Sequence, residues 1–149
     1  MTGRANRAET VYFFAGTLDR LPEIMPKASA RPTEIKLHQK SRLLEVTFDD
    51  SSHFKFSCEY LRSHSPSAEV RGHGHGQEVL QIGKEKVNIA EIEPVGTYAV
   101  CLHFDDGHAT GIYSWEYLHD LGVNQEANWQ RYLERLAAAG HKRKSNPEG

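Results

Sequence analysis

Cysteine is scarce in this chain, with Cys58 and Cys101 the only two. Two thiols in 149 residues imply no disulfide framework, and buried, reduced side chains in a reducing compartment are the expected state. No apolar run approaches the roughly 20 residues that a membrane helix needs, and residues 11–15 are too short and too poorly flanked for a secretory signal. The expectation is a cytoplasmic protein with no membrane partner. A basic excess is missing as well. The 18 Lys and Arg stand against 20 Asp and Glu, a formal charge of −2, so nothing draws the chain to nucleic acid or anionic lipid. With 38% apolar and 26% charged residues, the length fits one globular domain with tails.

Residues 1–32 read as a flexible N-terminal segment, since 1–10 are polar and Pro22, Pro26 and Pro32 punctuate its second half. Only the mildly apolar residues 11–18 are suited to dock as a short element. The folded part spans 33–122. Ile35 and Leu37, then Leu44, Val46 and Phe48, alternate with polar neighbours around a turn at Gln39-Lys40-Ser41, which predicts a hairpin. Asp49-Asp50-Ser51-Ser52 supplies a second turn, and Phe54 and Phe56 share one face of the next strand. Ser57 is placed to cap a short helix with Glu59 in its first turn, and Pro66 stops it.

Short strands are expected over 79–82 and 87–92 around a turn at 83–86, with Pro94-Val95-Gly96 breaking the pattern. Tyr98, Val100, Leu102 and Phe104 then alternate into the turn Asp105-Asp106-Gly107, a strand over 110–113 and a helix over 114–121. A C-terminal helix falls within 123–140, with Ala127, Trp129, Tyr132, Leu133, Leu136 and Ala137 on its apolar face and Gly140 as its stop. The cationic end, 141–149, reads as a disordered tail.

An internal repeat organises these elements. Residues 44–50 (LEVTFDD) match 100–106 (VCLHFDD) at a spacing of 56, and residues 57–61 (SCEYL) match 114–118 (SWEYL) at a spacing of 57. The implied fold class is α+β, a mainly antiparallel sheet from two similar strand-turn-strand-helix halves plus a C-terminal helix.

Chemistry is concentrated in residues 57–76, where polar, histidine and glycine residues crowd between apolar segments. His73 and His75 stand two apart, so an extended loop turns both toward one ion, and His103 and His108 flank the second Asp-Asp turn. Against this, the surrounding glycines loosen the loop and no Cys or Glu lies at ligand spacing beside the pair. His103-Phe104-Asp105 has the His-x-Asp form of a non-haem iron triad, but the distal histidine of such a triad arrives after many further barrel strands, and the stretch that follows here is too short to supply them. Cys58 lies at a helix start with His64 downstream, a nucleophile arrangement in outline. Trp115 occupies its equivalent in the second half, which favours a packing role. The glycine-rich run 72–76 lacks the Lys-Ser or Lys-Thr ending of a phosphate loop, and turn chemistry accounts for the Asp pairs better than calcium does.

The stretches LRSHSPSAEVRGHG (61–74), IEPVGTYAV (92–100), FDDGH (104–108) and YSWEYL (113–118) resemble the family named for the N-terminal domain of gamma-butyrobetaine hydroxylase. The resemblance covers roughly residues 33–122. It implies a small zinc module in the hydroxylases, with three cysteines and one histidine as ligands; those positions fall here on Ser65, Ser67, Val70 and His108. Two hydroxyls and a valine do not replace three thiolates. It also implies an accessory role, because the hydroxylases place iron, 2-oxoglutarate and catalysis in a jelly-roll domain for which this chain has no room. Related domains are fused to P-loop ATPases of iron–sulfur cluster assembly.

The leading expectation is therefore a non-enzymatic domain without a cofactor that binds a protein partner, in iron–sulfur or other metal homeostasis, through a loop containing Arg62, Ser65, Ser67, Glu69, Arg71 and His73. The alternative is a zinc or iron protein with His64, His73, His75 and His108 as ligands. Oligomeric state stays open, a homodimer included.

Overall fold

Alternation of apolar and polar residues builds most of the strands. The computed structural model describes residues 2–5, 9–13, 30–71 and 79–142. In chain order these form β1 (Thr2–Ala5), β2 (Glu9–Phe13), β3 (Pro32–His38), β4 (Leu43–Phe48), β5 (His53–Ser57), α1 (Cys58–Ser63), α2 (Ala68–Arg71), β6 (Ile89–Val95), β7 (Ala99–Phe104), β8 (Ile112–Ser114), α3 (Trp115–Val123) and α4 (Gln125–Ala138). The protein is α+β with two antiparallel sheets, ordered β1-β2-β3-β4-β5 and β6-β7-β8. Ile35 lies opposite Val46 and Leu37 opposite Leu44, so the inward positions of β3 and β4 meet in one core. Ile89, Ile92, Val100, Leu102, Leu118 and Leu121 join that core from the second half.

The repeat is reproduced bond for bond. Phe48 N–H donates to the Ser52 carbonyl at 2.8 Å across the first Asp-Asp turn, and Phe104 N–H donates to the His108 carbonyl at 2.9 Å across the second. Positive φ falls at the same turn position, 75° at Ser51 and 90° at Gly107. Ser57 Oγ accepts from Tyr60 N–H at 3.0 Å and Ser114 Oγ accepts from Tyr117 N–H at 3.1 Å, each capping its helix from an extended backbone. Each half thus carries the same hairpin, turn and capped helix.

Three sequence expectations need correction. Within the segment read as flexible, residues 2–5 and 9–13 are strands: β2 runs along β3 from Glu9 opposite His38 to Phe13 opposite Glu34, burying Val11. Its backbone supplies partners for a β3 edge that would otherwise lie open, a pairing that needs few apolar residues and so leaves little pattern. Residues 14–29 and the tail from 143 lie outside the described residues.

The second correction concerns 79–92. Residues 79–82 form no strand, whereas β6 continues through Pro94, which faces Val100. Proline is tolerated there because β6 is an edge strand of its sheet, where a missing N–H interrupts no further ladder. The third concerns α4. Tyr132 and Leu136 are buried with Asn128, Trp129 and Leu133 partly covered, while Ala127 and Ala137 face solvent. The inward stripe runs through 125, 128, 129, 132 and 136, the spacing of one helix face. Gly140 does end the helix. With φ of 81° it donates to the Ala137 carbonyl while His141 N–H reaches Leu136, the paired bonds of a Schellman stop.

Candidate functional site

The chain leaves α1 at His64 and turns immediately into the second half. Ser65 is fully buried, and its Oγ lies 2.9 Å from His108 Nε2 while accepting from Ser67 N–H at 3.2 Å. Ser67 Oγ meets Thr110 Oγ1 at 2.8 Å. Two serines of the loop are thus buttoned onto the turn and strand start at 108–110. Close approach is possible because residue 111 is glycine, where a Cβ would run into Ser65 Oγ. Tyr113 closes the floor, its hydroxyl donating to the Leu61 carbonyl at 2.6 Å.

A charged clasp flanks this knuckle. Arg62 is buried at the end of α1 and donates from Nε to Asp106 Oδ2 at 2.9 Å and from Nη1 to Gln81 Oε1 at 2.9 Å. Lys84 Nζ reaches the same Asp106 oxygen at 2.7 Å. Burial pushes the Asp106 carboxyl upward, but bonds from Lys84, the His108 backbone and Arg62 outweigh it and hold the pKa at about 2. The carboxylate therefore stays ionised and ties α1, the second turn and segment 79–86 together.

Of the four histidines expected as ligands, His64 and His108 are among the described residues, and each has its own protein partners. His64 turns to α4, with Nδ1 3.0 Å from the Tyr60 carbonyl oxygen and its ring packed on Tyr60 and Tyr132 at centroid distances of 4.6 and 6.0 Å. Burial lowers its pKa, with Arg131 and Arg135 adding to the effect. His108 is occupied with Ser65 in the knuckle. His73 and His75 lie outside the described residues, as do the side chains of Glu69 and Arg71. Cys58 is buried and its thiol is pushed up to about 12 by that burial, far from the thiolate a nucleophile needs.

Ser65, Ser67, Val70 and His108 do occupy one locality, as the resemblance implies. Val70 is buried and its N–H donates to the Ser67 carbonyl at 2.9 Å. A hydroxyl–imidazole bond stands where metal–sulfur bonds would be, and an apolar side chain fills the third cysteine position. The donor set does not fit zinc.

The family described as gamma-butyrobetaine hydroxylase-like, N-terminal, matches residues 35–119, which contain the repeat and the whole knuckle. The chain belongs to this family. Two solution NMR structures are similar to it: one with 51% identity over 83% of this chain and 92% of its own, at a TM-score of 0.69, the other with 41% identity over 80% and 94%, at 0.68. A crystal structure from Acidithiobacillus ferrooxidans, of a protein with unknown function in the DUF971 family, shares 42% identity over 61% of this chain and 91% of its own, at 0.52. No curated protein matches the chain.

Within this gamma-butyrobetaine hydroxylase-like domain, sequence reasoning missed Thr110, Tyr113 and the Arg62–Asp106 clasp. One signal for Thr110 was present. It stands two residues after His108 in an extended stretch, so both belong on one side of the chain.

Proposed function

We propose that this chain is a non-catalytic protein-interaction domain in iron–sulfur or other metal homeostasis, and that it meets its partner through loop 65–71 and the adjoining segment 79–82. One observation carries the reading. The knuckle is closed by the buried Ser65–His108 bond, so the start of the loop is a held shape in which the hydroxyls of Ser65 and Ser67 already have protein partners. Beside it Val79 and Ile82 are 51% and 44% exposed, and Val79 is anchored to the loop by its N–H bond to the Val70 carbonyl at 2.7 Å. Apolar side chains on a fixed edge, rimmed by polar groups, are what a partner's apolar side chains would cover.

The pathway part rests on the resemblance to domains fused to iron–sulfur assembly ATPases. The accessory role rests on the same resemblance, since the hydroxylases keep catalysis in a separate domain.

The test is affinity capture from the source cells with the full chain and with a Val79→Asp/Ile82→Asp variant, after matched circular dichroism and thermal melts. A discrete protein held by the first and lost by the second is the expected result. Equal capture by both, or none above background, removes the interaction reading. Unchanged iron–sulfur enzyme activities in cells lacking the chain would remove the pathway.

A further inference from the structure

The outer face of the second sheet carries a different kind of cluster. Antiparallel register sets Glu93 opposite Cys101, and the two-residue strand period sets His103 on the same face as Cys101. A carboxylate oxygen, the Cys101 sulfur and an imidazole nitrogen consequently lie within 4.8 Å of one another, the only such trio among the described residues. His103 Nε2 and Glu93 Oε1 are 2.8 Å apart, and Cys101 Sγ donates to the Ala109 carbonyl at 3.2 Å. Cys101 forms the buried floor, with the His103 and Glu93 side chains 32% and 58% exposed above it.

The geometry points to a divalent metal site at Glu93, Cys101 and His103 that takes a zinc-type ion. In a tetrahedral site with bonds of about 2.0–2.3 Å, ligand atoms stand roughly 3.3–3.8 Å apart, so small side-chain rotations close the present spacing onto an ion. The donor chemistry chooses the metal. One sulfur and one imidazole suit zinc and its borderline neighbours, while calcium and magnesium call for oxygen alone. As the sulfur–metal bond forms, the thiol proton leaves to solvent, and the His103–Glu93 contact gives way to two bonds to the ion. Three protein ligands leave the fourth position to water, on the exposed side through which an ion would enter.

The repeat supplies an internal control. At the place of Cys101 the first half has Glu45, whose two oxygens are already held by His38 at 2.8 Å and His53 at 2.6 Å, and at the place of His103 it has Thr47. The trio is a property of the second half alone. It shares no residue with the knuckle or with the loop histidines.

Cobalt(II) titration of the full chain, made without a histidine tag and kept reduced, reads the site through the thiolate-to-cobalt charge-transfer band. One equivalent should produce the band, zinc should bleach it, Cys101→Ser should abolish it, and His103→Ala and Glu93→Gln should weaken binding. Cys58→Ser and a His73→Ala/His75→Ala variant should leave it intact. Absence of the band in the wild-type chain, or its survival in Cys101→Ser, overturns the assignment. Should Cys101→Ser fail to fold, unaltered cobalt affinity in His103→Ala does the same.

Discussion

Tyr60 and Tyr117 join the two halves by the same bond made in opposite directions. The Tyr60 hydroxyl donates to the Leu121 carbonyl at 2.7 Å, and the Tyr117 hydroxyl donates to the His64 carbonyl at 2.6 Å. The repeat spacing of 57 carries Tyr60 onto Tyr117 and His64 onto Leu121, so each helix ties down the C-terminal end of the other. The clasps obey the same exchange. Arg62 of α1 pairs with Asp106 of the second turn, while His119 of α3, at the equivalent place, lies 3.0 Å from Asp50 of the first. Each helix end is thus bonded to the opposite half, so loss of either half strips a partner from the other's helix.

Removing either hydroxyl leaves a carbonyl at the end of a helix short of its donor. Tyr60→Phe and Tyr117→Phe should each lower unfolding stability by about 1–2 kcal/mol. Urea denaturation measures it. A loss below about 0.5 kcal/mol in both, within the ordinary scatter of surface changes, would show that the cross-bonds are geometric and carry no energy.

The acid limb of stability should run through Asp106. Its folded pKa, about 2, lies below the ordinary aspartate value of 3.8, so its contribution is fully present above about pH 4 and is lost as pH falls toward 2. With water at the edge of the clasp, the loss is on the order of 1 kcal/mol. Asp106→Asn should be less stable than the wild type at neutral pH, with the gap narrowing in acid. A gap that stays constant between pH 6 and pH 2 would mean that the charge of Asp106 does not support the fold.

The knuckle should accept zinc once its thiolates are supplied. In Ser65→Cys/Ser67→Cys/Val70→Cys the three sulfurs and His108 form the ligand set of a structural zinc site. The variant should bind one further equivalent of zinc beyond the wild type and melt at a higher temperature with the metal than after chelation. No added zinc in folded protein would mean that the loop takes a different path from the module it resembles.

Much of the scaffold was legible because its signals are local. The Asp-Asp turns, the serine caps and the alternation at Leu44, Val46, Phe48 and at Val100, Leu102, Phe104 each need only neighbouring residues to be read. The features that escaped depend on partners far along the chain. Glu93, Cys101 and His103 become a cluster only through the β6–β7 register, which a bulge between Ile89 and Glu91 shifts by one residue. Pro94 read as a break because edge position is a property of the sheet. The pairing of Ser65 with His108 was open until the loop's path was known, and the N-terminal strands were hidden because their backbone does most of their pairing.

Two glycines show how the repeat divides space between its halves. Gly111 takes the place of Phe54 and Gly122 the place of Ser65, and the contacts pair crosswise: Gly111 against Ser65, Gly122 against Phe54. Gly122 lies inside α3, where alanine is favoured by about 1 kcal/mol on propensity alone. A Cβ there would come within 2.5 Å of the Phe54 ring. That ring is partly buried and packs against Phe48, Phe56 and His119 at centroid distances of 5.6 to 6.0 Å, so it can withdraw only by giving up those contacts. Overpacking of this kind costs about 1–3 kcal/mol, so the clash should win and Gly122→Ala should destabilise. Phe54→Leu alone should also destabilise by leaving a gap, yet the pair should lose less than the sum of the two, because the smaller side chain makes room for the methyl. Denaturation of the four proteins in this cycle decides the matter. Strict additivity would show that Gly122 is required for its backbone and not for the space it leaves to Phe54.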